Sequence, residues 1–187
     1  MIRSATIYLD GPLSSGLLYE CAKNLALSGV GNIVVLAPSD DDDGNNDLDD
    51  NYHYTEFDDL GKSYQRAARA ELGVGPDDVD DDATILQRFL QRLNPSVHVS
   101  VMDRADVASD ATDGVLVAVD RPYATQVRLN KQCRDTGMKF VSIETAGVYG
   151  KTFCDFGPDF SVFDADGEQA LDIPLDKLEV IVNEDDS

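Results

Sequence analysis

With 187 residues, 42% of them hydrophobic, the chain has the length of one domain and enough apolar content to build a core without disulfide or metal staples. It carries 36 acidic against 15 basic side chains, a net charge of −21, which excludes a phosphate-binding basic surface and so removes nucleic acid from the expected partners. The segment Met1 to Leu9 is too short and polar for a signal peptide, and no apolar run of about 18 residues is present to span a membrane; a soluble protein of the cytosol or nucleus is expected.

In chain order, Ala5 to Leu9 alternates and is rich in β-formers, and Asp10-Gly11-Pro12-Leu13-Ser14-Ser15-Gly16 interrupts it. Leu17 to Leu27 then carries apolar residues at helical spacing. Gly29 and Gly31 close that helix, and Asn32 to Ala37 is the short apolar run of a strand covered on both faces. Together they predict a right-handed βαβ unit of about thirty residues. Asp40 to Asp43, Asp47 to Asp50 and Asp77 to Asp82 form like-charge blocks, expected as solvated loops at 38–51 and 73–82 within a single domain over 1–187. These blocks lack the alternating ligands, the glycine and the closing glutamate of an EF-hand, so calcium is not signalled.

Gly61 to Leu72 and Ala83 to Leu93 predict two helices, the second with Ile85, Leu86, Phe89, Leu90 and Leu93 on one face and Asn94-Pro95 as its stop. Val97 to Val101 and Gly114 to Val119 read as strands, Tyr123 to Thr136 as a helix closing at Gly137, and Lys139 to Ile143 as another buried strand. This alternation predicts an α/β fold, a mainly parallel sheet with helices on both faces. From Val148 the segments shorten, and Lys151 to Asp155 with Phe160 to Asp164, either side of Gly157-Pro158, are expected to form a C-terminal β-hairpin. Leu178 to Val182 is a further apolar stretch without an evident partner.

A glycine loop between strand and helix suits phosphate binding, because glycine lets the backbone approach and the helix start presents free N–H groups. Gly11 and Gly16 are therefore candidate cofactor-binding residues, although Pro12 lacks an amide donor. The second strand ends Leu36-Ala37-Pro38-Ser39, without the acid that would hold a ribose; Asp40 is the nearest. Cys21, Cys133 and Cys154 contain no CxxC pair, so neither a disulfide framework nor a zinc site is signalled, and all three are expected to pack as reduced core thiols. His53 and His98 suggest neither a metal pair nor a catalytic base.

Glu144-Thr145-Ala146-Gly147-Val148-Tyr149-Gly150-Lys151-Thr152-Phe153-Cys154-Asp155-Phe156-Gly157, followed by Asp164-Ala165-Asp166-Gly167-Glu168-Gln169, resembles the non-catalytic adenylation half of ubiquitin-activating enzymes, relatives of ThiF and MoeB. The resemblance runs in order from Gly11 to Gln169, with Asn24 and Gly29-Val30-Gly31 following the glycine loop, and implies a Rossmann-like, ThiF-type NAD/FAD-binding fold. Asp47-Leu48-Asp49-Asp50-Asn51-Tyr52 is similar to a family segment, Asn-Leu-Asn-Arg-Gln-Phe, whose arginine binds the triphosphate; Asp50 stands in its place, and like charge opposes phosphate. Asp59-Leu60-Gly61-Lys62-Ser63 is similar to Asp-Val-Gly-Lys-Ser, which implies Lys62 as a nucleotide contact, the alternative being a solvated lysine at a helix start. Asp120 stands where the family has its strand-end magnesium carboxylate, or else caps the helix that begins near Tyr123.

The CxxC pairs usual in ThiF and MoeB are lacking, which points to the eukaryotic pseudo-adenylation half. Met1-Ile2-Arg3 is too short to supply the arginine that the family places before its first strand, so Arg3 takes no such role. The resemblance thus implies a half with no catalytic residue and no metal of its own, with Gly11, Gly16, Lys62 and Asp120 as a degenerate cofactor site and ATP and magnesium in the full enzyme. Implied partners are a catalytic adenylation half, in cis or in trans, and ubiquitin or a ubiquitin-like protein, and an apolar face is expected towards that half. The alternatives are a stand-alone ThiF/MoeB-like ATP-dependent adenylyltransferase and, on fold analogy alone, a dinucleotide-binding oxidoreductase.

Overall fold

The computed structural model describes residues 2–37, 58–75, 81–107 and 114–161. A 3-10 turn at Ile2–Ser4 leads into β1 (Thr6–Asp10), α1 (Gly16–Leu27) and β2 (Asn32–Ala37). Then come α2 (Asp58–Leu72), α3 (Asp82–Leu93), β3 (His98–Asp103) and a 3-10 turn at Arg104–Asp106. β4 (Val115–Val119), α4 (Tyr123–Thr136), β5 (Lys139–Ala146) and β6 (Tyr149–Asp155) complete the described elements. The strands form one sheet in the order β3-β2-β1-β4-β5-β6, parallel throughout except for β6, which runs antiparallel to β5.

Side chains alternate across a strand, and the sequence uses that alternation to build two cores. Ile7 and Leu9 of β1, Ile33 and Val35 of β2, and Val117 and Val119 of β4 pack with Leu18, Tyr19 and Ala22 of α1, Ala68 of α2, and Ile85, Leu86 and Leu90 of α3. Tyr8, Val34, Leu36, Leu116 and Ala118 project the other way and join Leu129 and Cys133 of α4 with Phe140. A one-residue slip would exchange the two sets, so both cores hold the register. The expected parallel sheet with helices on both faces is observed, α1 to α3 on one side and α4 on the other.

One boundary is corrected. Asp82 opens α3 rather than closing the acidic loop, and accepts from Arg69 Nη2 at 3.1 Å and Gln65 Nε2 at 3.1 Å; the exposed Asp81 before it is the N-cap and accepts from Thr84 N at 2.7 Å. Carboxylates at a helix start are stabilised by its free amides and dipole, which recruits them from the acidic run. The hairpin among the described residues is that of β5 with β6; of the expected second strand, Phe160 and Ser161 are not in a strand and 162–164 lie outside the described residues. β6 pairs with β5 from Phe140↔Asp155 to Ala146↔Tyr149, turning at Gly147-Val148 with Gly147 at φ +62°. A two-residue loop with glycine first matches the twist of the flanking strands. Beyond it the chain turns at Gly157, whose carbonyl accepts from Phe160 N at 3.4 Å, and Phe160 is not in a strand. Residues 162–187, with Asp164 to Gln169 and Leu178 to Val182, lie outside the described residues, as do 38–57 with Asp40, Asp50 and His53.

Candidate nucleotide crevice at the carboxyl edge of the sheet

The strand order reverses at β1 and β4, and in open parallel sheets the crevice beyond the carboxyl ends of such strands is where ligands bind. The loop from Asp10 to Gly16 crosses this point. Gly11 is bare for packing: a Cβ there would fall 2.9 Å from the Val119 carbonyl oxygen and 3.2 Å from Leu18 Cδ1. The loop then turns, with Ser15 N donating to Pro12 O at 2.8 Å, and Gly16 opens α1. Ser15 is the N-cap, its Oγ accepting from Leu18 N at 3.2 Å.

The same hydroxyl donates to Asp120 Oδ2 at 2.7 Å, a charge-assisted bond between residues 105 apart in sequence. Asp120 follows β4 with φ at +47°, a left-handed conformation that Asp tolerates better than most residues. Its N–H donates to Ile143 O at 2.8 Å and its Oδ1 accepts from Thr145 N at 3.1 Å. Asp120 therefore ties the glycine loop, β4 and β5 together. It does not cap α4, where Pro122 holds the N-cap position without a side-chain bond.

Sequence reasoning missed a second carboxylate. Asp10, at the end of β1, is wholly buried, and its Oδ1 accepts from Arg104 Nε at 2.8 Å and Arg121 Nη2 at 2.5 Å. The arginines follow β3 and β4 and are themselves mostly buried. An ion triad thus fills the end of the sheet beside Asp120. A strand-end acid in so acidic a chain offers no local signal, and the two partners lie 94 and 111 residues away.

Of the predicted site residues, Gly11, Gly16 and Asp120 are brought together, linked through Ser15. Lys62 is exposed on α2, which begins at Asp58 rather than Gly61. Three residues further, Gln65 donates to Leu13 O at 2.9 Å, so α2 rests on the glycine loop. The Tyr64 hydroxyl donates to Glu20, Lys23 Nζ to the same carboxylate at 2.8 Å, and the Tyr19 and Tyr64 rings stack at 5.9 Å, which docks α2 on α1. Lys23 first, then Tyr64, holds the Glu20 carboxyl below the usual range.

Burial raises the Cys21 thiol and pushes Cys133 up to about 11, so both disfavour the thiolate that a thioester would need. Cys154 is exposed, against the expectation of core packing, because β6 is the edge of the sheet among the described residues. His98 is exposed at the start of β3. Among the described residues no group of three His, Cys, Asp or Glu is placed to hold a metal ion.

A magnesium–triphosphate group needs open carboxylate oxygens and open amides at this edge. Asp120 engages both its oxygens with Ser15 and Thr145, Ser15 Oγ takes the Leu18 amide, and Pro12 has none to give. The residues do not fit that group in this arrangement.

No family model matches the chain. Ubiquitin-like modifier-activating enzyme 7 of Mus musculus is 32% identical over 165 residues, covering 87% of this chain and 14% of that enzyme. The chain belongs to the ubiquitin-like modifier-activating enzyme family. Ubiquitin-like modifier-activating enzyme 1 of Rattus norvegicus is 30% identical over 176 residues, covering 91% of this chain and 14% of its own length. Ubiquitin-activating enzyme E1 1 of Triticum aestivum is 32% identical over 165 residues, covering 82% and 13%. The chain thus spans 14% or less of these activating enzymes. Among solved structures, E. coli MccB with SeMet MccA matches with a TM-score of 0.51 at 17% identity, over 76% of this chain and 38% of that one, a likeness of Rossmann-like fold.

Proposed function

We propose that this chain is a non-catalytic adenylation half, a subunit or a segment of a ubiquitin-activating enzyme. In this reading it supports the ATP-dependent activation of ubiquitin or a ubiquitin-like protein by pairing with a catalytic adenylation half, in cis or in trans, that holds ATP and magnesium. The observation that carries the reading is Asp120: the one carboxylate at the expected magnesium position spends both oxygens on Ser15 and Thr145. Asp10, shared by two arginines, fills the adjoining strand end with an internally paired ion cluster, so the edge is built to hold itself together. No helix of the described residues is long and apolar enough to cross a membrane, in keeping with action in the cytoplasm or nucleus.

The test is calorimetric titration of MgATP into the chain alone and into its mixture with a catalytic half. Heat of nucleotide binding only in the mixture, with a defined complex on light scattering, is the expected result. A second reading, a stand-alone adenylyltransferase, draws on Lys62, carried on a helix that Gln65 docks to the glycine loop. Magnesium-dependent ATP binding by the chain alone, lost in both Lys62→Ala and Asp120→Ala, would establish it and refute the first.

A further inference from the structure

Arg104 and Arg121 converge on one carboxylate from two different loops. Arg104 opens the 3-10 turn after β3, Arg121 follows β4, and Asp10 ends β1, which pairs with β4. In open parallel sheets ligands bind beyond the strand ends at this reversal of strand order, and here Asp10 occupies the place. Both arginines reach the same oxygen, Oδ1, at 2.8 Å and 2.5 Å. The fit is incomplete. The second oxygen of Asp10, Oδ2, is buried with no hydrogen-bond partner, and so is Nε of Arg121, whose side chain is only 10% exposed.

A guanidinium matches a carboxylate best as a fork, Nε–H donating to one oxygen and Nη–H to the other. Asp10 is fixed to β1 by the register Asp10↔Ala118, and its short side chain presents one oxygen to Arg121. A carboxylate free of the backbone can turn until both of its oxygens are engaged. The arginines are placed independently of Asp10. Arg121 O accepts from Gln126 Nε2 at 2.6 Å, and the preceding Asp120 is tied to Ser15, Ile143 and Thr145. Arg104 follows Asp103, which β3 pairs with Ala37 of β2. Truncating Asp10 is therefore expected to leave two anchored guanidiniums around a niche the size of a small carboxylate.

We propose that Arg104 and Arg121 form a carboxylate-binding site that Asp10 of the same chain occupies as a built-in ligand, closing the sheet's switch point to free anions. The ligand class is a small planar carboxylate, of which formate is the smallest. This assignment does not depend on whether the chain pairs with a catalytic half.

The test is thermal unfolding of the full chain at pH 7, followed by circular dichroism, in sodium formate against equal concentrations of sodium chloride and of formamide. Asp10→Gly is expected to melt below the parent in chloride. It is expected to recover about 3–6 °C, saturably, at a formate concentration about ten times the dissociation constant, because a ligand that binds only the folded state stabilises it. Formamide, similar in shape but uncharged, is expected to restore nothing. The parent, with its own carboxylate in place, and Asp10→Gly/Arg121→Met, without the fork, are expected to respond to formate no more than to chloride. A response of Asp10→Gly to formate no larger than to chloride would overturn the proposal, as would an equal response in the parent or in the double variant. Should Asp10→Gly be unfolded in chloride, refolding in formate alone is the expected outcome, and failure to fold in both salts overturns the assignment.

Discussion

Replacing Asp10 by Asn keeps the shape of the β1 end and removes the carboxylate that two guanidiniums share. Asp10 is 0% exposed, and the side chains of Arg121 and Arg104 are 10% and 17% exposed, so neither arginine can recover its hydration without opening the end of the sheet. Removing one partner of a buried ion pair costs about 3–5 kcal/mol, because the remaining charge is left buried and unpaired. Arg104, the less buried of the two, relaxes more easily, which places the expectation near about 3 kcal/mol, a large part of the roughly 5–15 kcal/mol that holds a domain. Urea titration followed by far-ultraviolet circular dichroism at pH 7 reads this as a lower midpoint with an unchanged slope. Asp10→Asn/Arg121→Met removes the carboxylate together with its closer arginine and is expected to regain about 1–3 kcal/mol over Asp10→Asn, since interacting partners are not additive. A loss under about 1 kcal/mol for Asp10→Asn, with additive behaviour in the double variant, would mean that water reaches the cluster and that the triad does not close the edge.

Asp120→Ala leaves Ser15 Oγ and Thr145 N without their acceptor and puts alanine at φ +47°; the two effects together cost about 2–3 kcal/mol, a fall in Tm of about 4–12 °C, whereas Asp120→Asn keeps most of it. Cys154 is expected to react with iodoacetamide in the native protein at pH 8, while Cys133, buried and with its pKa pushed up to about 11, reacts only after unfolding; mass spectrometry of tryptic peptides checks the order. The Glu144 carboxyl is held below its ordinary range, first by Lys151 and then by the Gln126 hydrogen bond. Its folded pKa is therefore depressed, so the stabilisation is present above the ordinary glutamate range and is lost as pH falls through the lowered value. The stability gap between the parent and Lys151→Ala, at most about 1 kcal/mol for so exposed a pair, is expected to close between about pH 5 and pH 3 and to shrink in salt, as urea titrations at each pH would show.

Elements whose signal is local were legible in the chain. β2 runs from Asn32 to Ala37 and α4 from Tyr123 to Thr136 with Gly137 after it, as their periodicity and closing glycine predict, because both depend on side chains within a turn or a strand's length. Alternation in β1, β2 and β4 likewise determined which side chains face which core, and hence an α/β sheet covered on both sides. β5 runs on to Ala146, past the predicted Ile143, because β6 folds back along it and supplies the antiparallel hydrogen bonds. That pairing also left Cys154 on the edge strand of the sheet among the described residues. The glycine loop was found where expected, yet Gly11 is there to let the backbone approach Val119, and Asp120 is there to hold Ser15 and Thr145. A carboxylate has no role in isolation: whether it binds metal, caps a helix or pairs with arginine depends on which donors arrive within about 3 Å of it. For Asp10 and Asp120 those donors come largely from distant parts of the chain, and only the closing of the sheet brings them there.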